Sequence, residues 1–521
     1  MVDDALVIGS GPAGVAATAA LLAAQRTVKM LDIGARLERA RAESVRELSR
    51  RGKARADDPE WNFARSGLAT GAKIPLKTAF GSDFPYGSEA IFEGGLPPGF
   101  GILPSQAFGG LSNVWGATLL RLIESDIKGW PFGLDALTPS YAAIEGMLPI
   151  STHADGLSGK YPVSSTSHAI EPSSQASRLL DNIERRLRPE DRAGLSIGHA
   201  RVAVGAGCRR CGMCLYGCPY TQIFNSSWLV DEFARQPGFS YVPEARVLSL
   251  SETSSQVEVT GRTIDGRPFV ERARRVFLAA GALGTPLIML VSMRERALQL
   301  RLQDSQYFLL PAIGPPASAA DKDSPLTLAQ LFIEIDDPRV APHAVHSQLY
   351  TFNDYYADNL RQRLFRGAVT PLDGLVKWLA NRMIVIQSYL HSDLSPHAHL
   401  RLGGMLEAPT LRVEPQLNAE SQPAIKRVWR RFSAIGHRAG FLALPMLGQI
   451  GEVGRGYHTG GSFPMRKQPQ FGESDAVGRP FSFARIHIVD GSCLPTIPST
   501  APTLTIMANA HRIASTAARD E

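Results

Sequence analysis

Three glycines near the start of the chain restrict its fold more than any other feature. They form the pattern Gly9-x-Gly11-x-x-Gly14 and follow an apolar strand predicted over Ala5–Ile8. Glycines at this spacing let the backbone turn tightly and approach a pyrophosphate group, while the N-terminus of the next helix offers free N–H groups to that anion. The pattern alone is a weak signal, so its surroundings decide the interpretation.

The elements after these glycines complete a βαβ unit. An Ala- and Leu-rich helix is predicted to about Ala24, and a second strand, Val28–Leu31, ends at Asp32. This acidic residue lies at the distance at which such a unit places the carboxylate that accepts from the adenosine ribose. The sequence therefore predicts a Rossmann-like domain, without separating FAD from NAD.

The remainder of the chain predicts a second unit and domains that are discontinuous in sequence. A β-meander is predicted over residues 239–277, and strand-like and amphipathic helical segments fill the middle of the chain. We predict an α/β fold in which the Rossmann-like cofactor domain is joined to a substrate-binding or cap domain of mixed sheet and helices. The cofactor domain is assigned residues 1–150, 200–295 and 450–521, the cap domain residues 151–199 and 296–449, and a cysteine-rich loop residues 205–222.

Composition argues against several other classes of protein. The 521 residues carry a formal charge of +6, and the basic residues are scattered rather than gathered on one element, so no nucleic-acid partner is expected. The chain opens directly into a strand, and it contains no apolar run of about 18 residues. We therefore expect a cytoplasmic protein without a membrane span, with reduced cysteines.

Several further segments, taken together and in order, resemble the glucose–methanol–choline (GMC) oxidoreductases over essentially the whole chain. Besides Gly9–Gly14 they are Gly109–Gly116, Trp130 to Tyr141, Gly281–Pro286, His458–Met465, Val489–Ser492 and Pro502–Met507. The cysteine-rich loop places the resemblance in a bacterial branch of that family. By this resemblance the cofactor is FAD rather than NAD, and the substrate is a small-molecule alcohol.

The resemblance also assigns roles to individual residues. His458 matches the family histidine beside the reactive nitrogen of the flavin, and Asp490 matches the aspartate near the ribityl chain. The residues expected to bind FAD are Gly9, Gly11, Gly14, Asp32, Gly110, Ser112, Asn113, Trp115, Ala280, Gly281, Asp490, Gly491, Pro502 and Thr503. Imidazole suits the role of base, because its ordinary pKa of about 6.5 allows it to accept a hydroxyl proton near neutrality.

One departure from the family pattern concerns the second catalytic residue. The family places a histidine or asparagine just before the C-terminal helix, where this chain has Ala501. Alanine can neither hydrogen-bond a substrate oxygen nor share a proton, so another side chain serves or one base suffices. Four histidines of the middle unit are candidates, each with a structural role as the alternative: His391, His397, His399 and His437.

A second departure is a run of four cysteines in eleven residues. They are Cys208, Cys211, Cys214 and Cys218, the last followed by Pro219. This spacing is that of iron–sulfur ligands in bacterial ferredoxins. A metal-free loop, with a disulfide or free thiols, is an open alternative, and zinc is disfavoured because its sites usually separate two ligand pairs by a longer loop. The remaining Cys493 is expected to be a small buried residue.

These observations support one main function and two alternatives. The first is an FAD-dependent alcohol dehydrogenase or oxidase that takes a hydride from a CH–OH group of a polyol, sugar or glycoside, including intermediates of secondary metabolism. The second is a flavin-dependent isomerase, epimerase or oxidative cyclase without net alcohol oxidation, which Ala501 motivates. The third is a non-catalytic electron-transfer protein that carries flavin and an iron–sulfur cluster. Oxygen, a quinone and a redox protein all remain possible electron acceptors.

Overall fold

The computed structural model describes residues 3–52, 58–65, 76–162, 167–365 and 371–519. The strands are β1 Asp3–Ile8, β2 Val28–Leu31, β3 Ile150–Ser151, β4 Leu195–His199, β5 Val202–Ala203, β6 Phe239–Val242, β7 Ala245–Glu252, β8 Val257–Thr263, β9 Pro268–Leu278, β10 Leu300–Asp304, β11 Tyr307–Ile313, β12 Leu331–Ile335, β13 Val345–Tyr350, β14 Met383–Tyr389, β15 His397–Met405, β16 Ala408–Gln416, β17 Leu442–Ala443, β18 Gln449–Ile450, β19 Thr459–Gly460 and β20 Ile486–Ile488.

The helices of the described residues connect these strands and cover the sheets. They are α1 Pro12–Ala23, α2 Arg39–Arg50, α3 Pro59–Arg65, α4 Thr138–Met147, α5 Ser174–Arg186, α6 Pro189–Arg192, α7 Ser226–Phe233, α8 Gly281–Met293, α9 Ala319–Asp323, α10 Asp354–Phe365, α11 Asp373–Ala380, α12 Ser421–Ala439 and α13 Thr503–Arg519. Among the described helices, none combines the length and the apolar composition that a membrane span requires.

The first sheet contains the βαβ unit that the sequence predicts. Its strand order is β6-β2-β1-β9-β8-β7, with β20 also pairing with β9. The strands β6, β2, β1, β9 and β20 pair in parallel, whereas β7, β8 and the first half of β9 pair in antiparallel fashion. The predicted meander is therefore correct for β7–β9 and wrong for β6, which adds to β2 as a parallel edge strand.

Both ends of the chain meet on this sheet. The N-terminal helix α1 packs against the C-terminal helix α13, and the short strand β20 lies beside β9. Much of α1 is buried and apolar all round, as expected for a helix enclosed between a sheet and a second helix. The mixed α/β fold with a Rossmann-like domain is confirmed.

A second seven-stranded sheet lies in the middle of the chain, with strand order β17-β11-β14-β13-β12-β4 and β18 beside β11. One of its faces is apolar and packs against α5 and α12. That core includes Leu179, Phe308, Ile333, Ile386 and Phe432. The alternate residues of the same strands point to the opposite face, which is rich in polar and aromatic side chains.

A third, four-stranded sheet of order β16-β15-β10-β19 joins the other two regions. Strand β19 begins at Thr459 and pairs with Asp304 at the end of β10. The backbone N–H of Ser305 then donates to the carbonyl oxygen of His458 at 3.0 Å. This sheet therefore fixes the position of His458 relative to β11, which begins two residues later.

Candidate active site

The fingerprint glycines lie where β1 turns into α1, and two of them have no room for a side chain. Gly9 has φ +106°, and a β-carbon there would lie 2.5 Å from the carbonyl oxygen of Ala279. A β-carbon on Gly14 would lie 1.9 Å from the carbonyl oxygen of Gly9. The close packing of β1, α1 and β9 therefore requires glycine at both positions.

The loop Gly109–Gly116 lies directly against this turn. A β-carbon on Gly110, whose φ is +58°, would lie 3.0 Å from the Cα atom of Gly11. Helix α1 has neither a side-chain cap nor an acidic residue in its first turn. Its first backbone N–H groups therefore remain available to an anion, and the two glycine loops form a cradle that fits the pyrophosphate of a dinucleotide.

The carboxylate of Asp32 lies at the end of β2, nearly buried. It accepts hydrogen bonds from the hydroxyl groups of Ser10 and of Tyr241, the latter at 3.2 Å. The Ser10 oxygen in turn accepts from the backbone N–H of Gly109 at 2.8 Å, which links the acid to the glycine loop. Burial raises the pKa of Asp32 to about 6, against these hydrogen bonds, which lower it.

Two polar side chains of the glycine loop hold the loop itself. Ser112 donates to the carbonyl oxygen of Gly109 at 2.5 Å and accepts from the backbone N–H of Ser226 at 3.0 Å. Asn113 donates to the carbonyl oxygen of Gly110 at 2.7 Å and accepts from Asn225 at 2.9 Å. The structure thus gives Ser112 and Asn113 a bracing role within the cradle.

Asp490 connects the C-terminal segment to the start of α8. One of its oxygens accepts from the backbone N–H of Gly281 at 2.7 Å and from the hydroxyl of Thr285 at 2.5 Å, and the other accepts from the backbone N–H of Ser492 at 2.9 Å. Burial raises the pKa of Asp490. The next residue, Gly491, lies against β19, where a β-carbon on Gly460 would be 2.1 Å from its carbonyl oxygen. Asp490 therefore joins the fingerprint region to the segment that carries His458.

His458 lies immediately before β19, on the polar side of the second sheet. Its imidazole stacks on the ring of Tyr389, with centroids 4.3 Å apart and planes at 20°. The Nδ1 atom is buried and has no hydrogen-bond partner. Burial, and secondarily the nearby His346, lower the pKa of His458 to about 3. The ring is therefore neutral at physiological pH and retains a lone pair for an incoming proton.

The four histidines that the sequence offered in place of residue 501 are spread over other parts of the structure. Ala501 itself is buried just before α13. His391 stacks on His343 at 4.0 Å, His397 and His399 lie on β15, and His437 is exposed on α12. None of these four rings has a stacking contact with His458 or Tyr389 among the described residues.

Comparison with known proteins finds one family model and a similar fold. Residues 446–510, which contain His458 and Asp490, match the C-terminal model of the GMC oxidoreductases. The fold is similar to that of the crystal structure of pyridoxine 4-oxidase from Mesorbium loti, with a TM-score of 0.60, 14% identity and coverage of 99% of each chain. The C-terminal segment therefore carries a GMC oxidoreductase domain. No curated protein sequence matches the chain.

The GMC oxidoreductase domain at the C-terminal end of the chain indicates an FAD-dependent oxidoreductase. The similarity to pyridoxine 4-oxidase extends over the whole length of the chain, but at this identity it concerns the fold alone. The features particular to this protein therefore come from its own side chains.

The polar face of the second sheet forms a wall beside His458. Its members are Tyr307, Glu334, His346, Gln348, Tyr350, Gln387 and Tyr389, which share one side of β11–β14 by register. Tyr307 and Tyr389 pack with centroids 5.5 Å apart, and Gln387 donates to the Tyr389 hydroxyl. Aromatic rings beside amide and hydroxyl groups suit a ligand that presents both C–H faces and hydroxyl groups.

Two members of this wall were not predicted from the sequence. Glu334 and His346 are fully buried, and their Oε1 and Nδ1 atoms lie 2.5 Å apart. Glu334 interrupts the otherwise apolar strand Leu331–Ile335, and His346 lies on Val345–Tyr350, which is buried over most of its length. That incongruity is a usable signal, because a strand buried on both faces rarely carries a charged residue without a partner.

The four clustered cysteines are free thiols and line a single small pocket. Apolar side chains close its inner side, among them Val204, Ile223, Leu326 and Leu328. Burial raises the pKa of Cys211 to about 12 and that of Cys214 to about 11, so an electropositive ligand is needed to hold them as thiolates.

The spacing of these thiols differs from that of a single-ion site. A tetrahedral zinc ion, with Zn–S distances of about 2.3 Å, would bring its sulfur atoms within about 4 Å of one another. Among the described residues, no three cysteine sulfur atoms lie within 4.8 Å of one another. The four thiols are therefore not arranged for a single tetrahedral ion.

Lys77 lies between this cavity and the glycine loop. Its ammonium group donates to the carbonyl oxygen of Trp115 at 2.8 Å. Burial lowers its pKa to about 8, against the opposing influence of Cys214 and Cys218. Trp115 belongs to the loop that the resemblance assigns to FAD, so the cysteine cavity and the cofactor cradle are neighbours.

Proposed function

We propose that this protein removes a hydride from a CH–OH group of a polyol, sugar or glycoside, with His458 as the base. The observation that carries the proposal is the position of His458. Its imidazole is neutral, its Nδ1 atom lacks a partner, and it faces a polar and aromatic wall.

The proposed cofactor site uses residues from both ends of the chain. Gly9, Gly11 and Gly14 would hold the pyrophosphate, and Asp32 the adenosine ribose. The loop around Gly110 would cover the flavin. Bound FAD would accept the hydride from the carbinol carbon. Ser112, Asn113 and Asp490 would act chiefly by bracing the loops, since their hydrogen bonds are made to protein groups.

The proposed role of His458 is to remove the hydroxyl proton as the hydride leaves. Its stacking on Tyr389 and the hydrogen bond from Ser305 N–H to its carbonyl oxygen fix the ring and the backbone. Burial lowers the pKa of His458 to about 3, so the ring is neutral at physiological pH but is a weak base. Proton transfer to it therefore depends on the charge that develops on the substrate and the flavin as the hydride leaves.

Replacement of His458 by alanine tests this proposal. We expect the rate of flavin reduction under anaerobic conditions to fall by about a hundredfold or more, the usual contribution of a general base. The substrates to be tried are glycerol, glucose and a methyl glucoside, with reduction followed by loss of the flavin absorbance in a stopped-flow instrument.

His437→Ala is the matched control, because this histidine is exposed on α12. Its rate should equal that of the unmodified protein. Unchanged reduction in His458→Ala would reject the role of the base. Turnover without consumption of any electron acceptor would reject net alcohol oxidation and favour the isomerase or cyclase that Ala501 motivates.

We further propose that the cysteine cavity holds an iron–sulfur cluster. The support is the convergence of four free thiols with ferredoxin-type spacing on one largely apolar cavity. Such a cluster would take electrons singly from reduced flavin and deliver them to a quinone or a redox protein. The contact of Lys77 with Trp115 gives the two centres a short connection.

Iron and acid-labile sulfide in protein purified without air test the cluster. We expect both to be present in the unmodified protein and lost in Cys211→Ser and Cys214→Ser, whereas FAD content stays the same. Cys493→Ala is the control, because that thiol is buried beside Asn509, away from the cavity. Iron-free protein that still reduces its flavin with an alcohol would reject the cluster and leave the dehydrogenase chemistry standing.

A further inference from the structure

Glu334 and His346 form a pair of complementary groups deep inside the second sheet. They lie directly opposite each other on β12 and β13, and neither side chain has any exposed surface. The contact of 2.5 Å between Oε1 and Nδ1 is that of a strong, charge-assisted hydrogen bond. The other oxygen of Glu334 is buried without a hydrogen bond of good geometry, and the Tyr161 hydroxyl and the Arg201 guanidinium lie near enough to interact with this carboxyl group.

The second nitrogen of His346 continues the chain of hydrogen bonds. Its Nε2 atom lies 3.1 Å from the amide nitrogen of Gln348, and an amide nitrogen can only donate. His346 must therefore accept at Nε2 and donate from Nδ1 to Glu334. The carbonyl oxygen of the Gln348 amide accepts from the hydroxyl of Tyr350 at 2.9 Å.

These contacts all run in one direction. Tyr350 donates to Gln348, Gln348 donates to His346, and His346 donates to Glu334. Since the Tyr350 proton is committed to Gln348, the phenolic oxygen is left as an acceptor. Tyr350 is also the member of the chain that keeps exposed surface, whereas Gln348, His346 and Glu334 are buried.

Tyr350 lies where the sheet meets the cofactor loop. A β-carbon on Gly116 would be 3.9 Å from its hydroxyl oxygen, and the amide of Gln348 lies 3.4 Å from the hydroxyl of Thr118. On the other side, the rings of His346 and His458 both lie within about 20° of the plane of Tyr389, at 6.4 and 4.3 Å between centroids. The open end of the chain therefore faces the region in which a substrate would bind.

We infer that Tyr350 is a specificity-determining residue that accepts a hydrogen bond from a substrate hydroxyl group, and that Glu334 and His346 are positioning residues acting through it. This inference rests on the proposed function. Hydrogen bonds in series polarise one another, so the buried carboxylate strengthens the acceptor at the far end of the chain.

A double-mutant cycle tests this inference. Tyr350→Phe should raise the dissociation constant of a polyhydroxylated ligand by about two- to tenfold, the effect of one neutral hydrogen bond. Glu334→Gln should raise it by a smaller factor in the same direction. The double variant should bind no more weakly than Tyr350→Phe alone, because the carboxylate acts only through the tyrosine oxygen.

The measurement uses the FAD-loaded protein and glucose, myo-inositol and glycerol as probes. Perturbation of the flavin absorbance reports binding whether or not the probe reduces the flavin, so the chain is tested even if the proposed reaction fails. Reduction of the flavin in the unmodified protein tests the proposed function separately. Ser347→Ala is the matched control, because Ser347 lies on the same strand but contacts Ser388 on the opposite face.

Three outcomes would overturn the inference. They are equal affinity in Tyr350→Phe and the unmodified protein, additive effects of the two substitutions, and an equal loss of affinity in Ser347→Ala. Gln348→Met interrupts the same series of hydrogen bonds at its middle. It takes the place of Glu334→Gln in the double-mutant cycle if Glu334→Gln does not fold.

Discussion

Substitution of Gly110 by alanine tests whether the two glycine loops hold the cofactor together. The backbone of Gly110 is left-handed, with φ +58°, and an added β-carbon would lie 3.0 Å from the Cα atom of Gly11. An L residue in this conformation costs about 1–2 kcal/mol. The contact with Gly11 involves backbone on both sides, so relief requires the loops to separate.

The expected loss in the free energy of FAD binding equals this cost if the strain arises when the loop closes over FAD. A loss of 1–2 kcal/mol corresponds to an increase of about five- to thirtyfold in the dissociation constant. Gly116→Ala is the matched substitution in the same loop. Its added β-carbon would meet no atom closer than 3.9 Å, and its backbone is not left-handed, so we expect a change of less than about twofold.

Titration of the apoprotein with FAD, followed by quenching of flavin fluorescence, measures both constants. The thermal midpoint of each apoprotein is recorded alongside. Equal dissociation constants for the two variants would refute the reasoning. So would a Gly110→Ala variant whose stability falls in the apoprotein while its affinity for FAD is unchanged, because the strain would then be independent of the cofactor.

Three further predictions concern buried groups. Burial raises the pKa of Asp304 to about 7. The protonated carboxyl group therefore contributes its full stability below pH 4, and this contribution is lost as the pH rises through 7. Asp304→Asn should therefore stabilise the protein more at pH 8 than at pH 5, by roughly 3 kcal/mol, and equal changes in thermal midpoint at both values would contradict this. Asp32→Asn should weaken FAD binding about tenfold in the same titration, because an amide cannot accept at both oxygens from Ser10, Tyr241 and the ribose. Phe432→Ala should cost about 3–5 kcal/mol in denaturant unfolding and leave FAD affinity unchanged, since Phe432 is buried between α12 and the apolar face of the second sheet; His437→Ala is its control.

The parts of the fold that could be predicted are those whose signals are local. The strand Val28–Leu31 has the bounds that the sequence predicts, and α1 ends one residue before the expected position. In this unit the glycines, the apolar runs and Asp32 all lie within 32 residues, so no distant partner is needed to interpret them. Local consistency of this kind makes a segment recognisable from its own residues.

Pairing between distant strands could not be predicted in the same way. Phe239–Val242 precedes a meander and has the same composition, yet it pairs in parallel with β2, some 200 residues earlier. Nothing within those four residues distinguishes an edge strand of one sheet from the first strand of another. The choice depends on which sheet edge is left open, which is a property of the assembled domain.

The residues of the candidate site divide in the same way, into those with a local sequence signal and those brought together only by strand pairing. His458 and Asp490 were predicted through resemblance, because each lies within a recognisable glycine-rich segment. Glu334 and His346 have no such neighbours in sequence, and they become a pair only through the register of β12 and β13. The sequence therefore offers His391, His397, His399 and His437 as the second histidine. The structure instead places His346, on a strand, beside the Tyr389 ring on which His458 stacks.

Strand β10 ties the segment that carries His458 to the polar wall. Gln303 and Asp304 pair with the strand that follows His458, and Ser305 hydrogen-bonds to the carbonyl oxygens of both His458 and Leu390. Tyr307 then opens β11 opposite Tyr389. These consecutive residues therefore fix the wall relative to the His458 ring, which is the geometry that the proposed reaction requires.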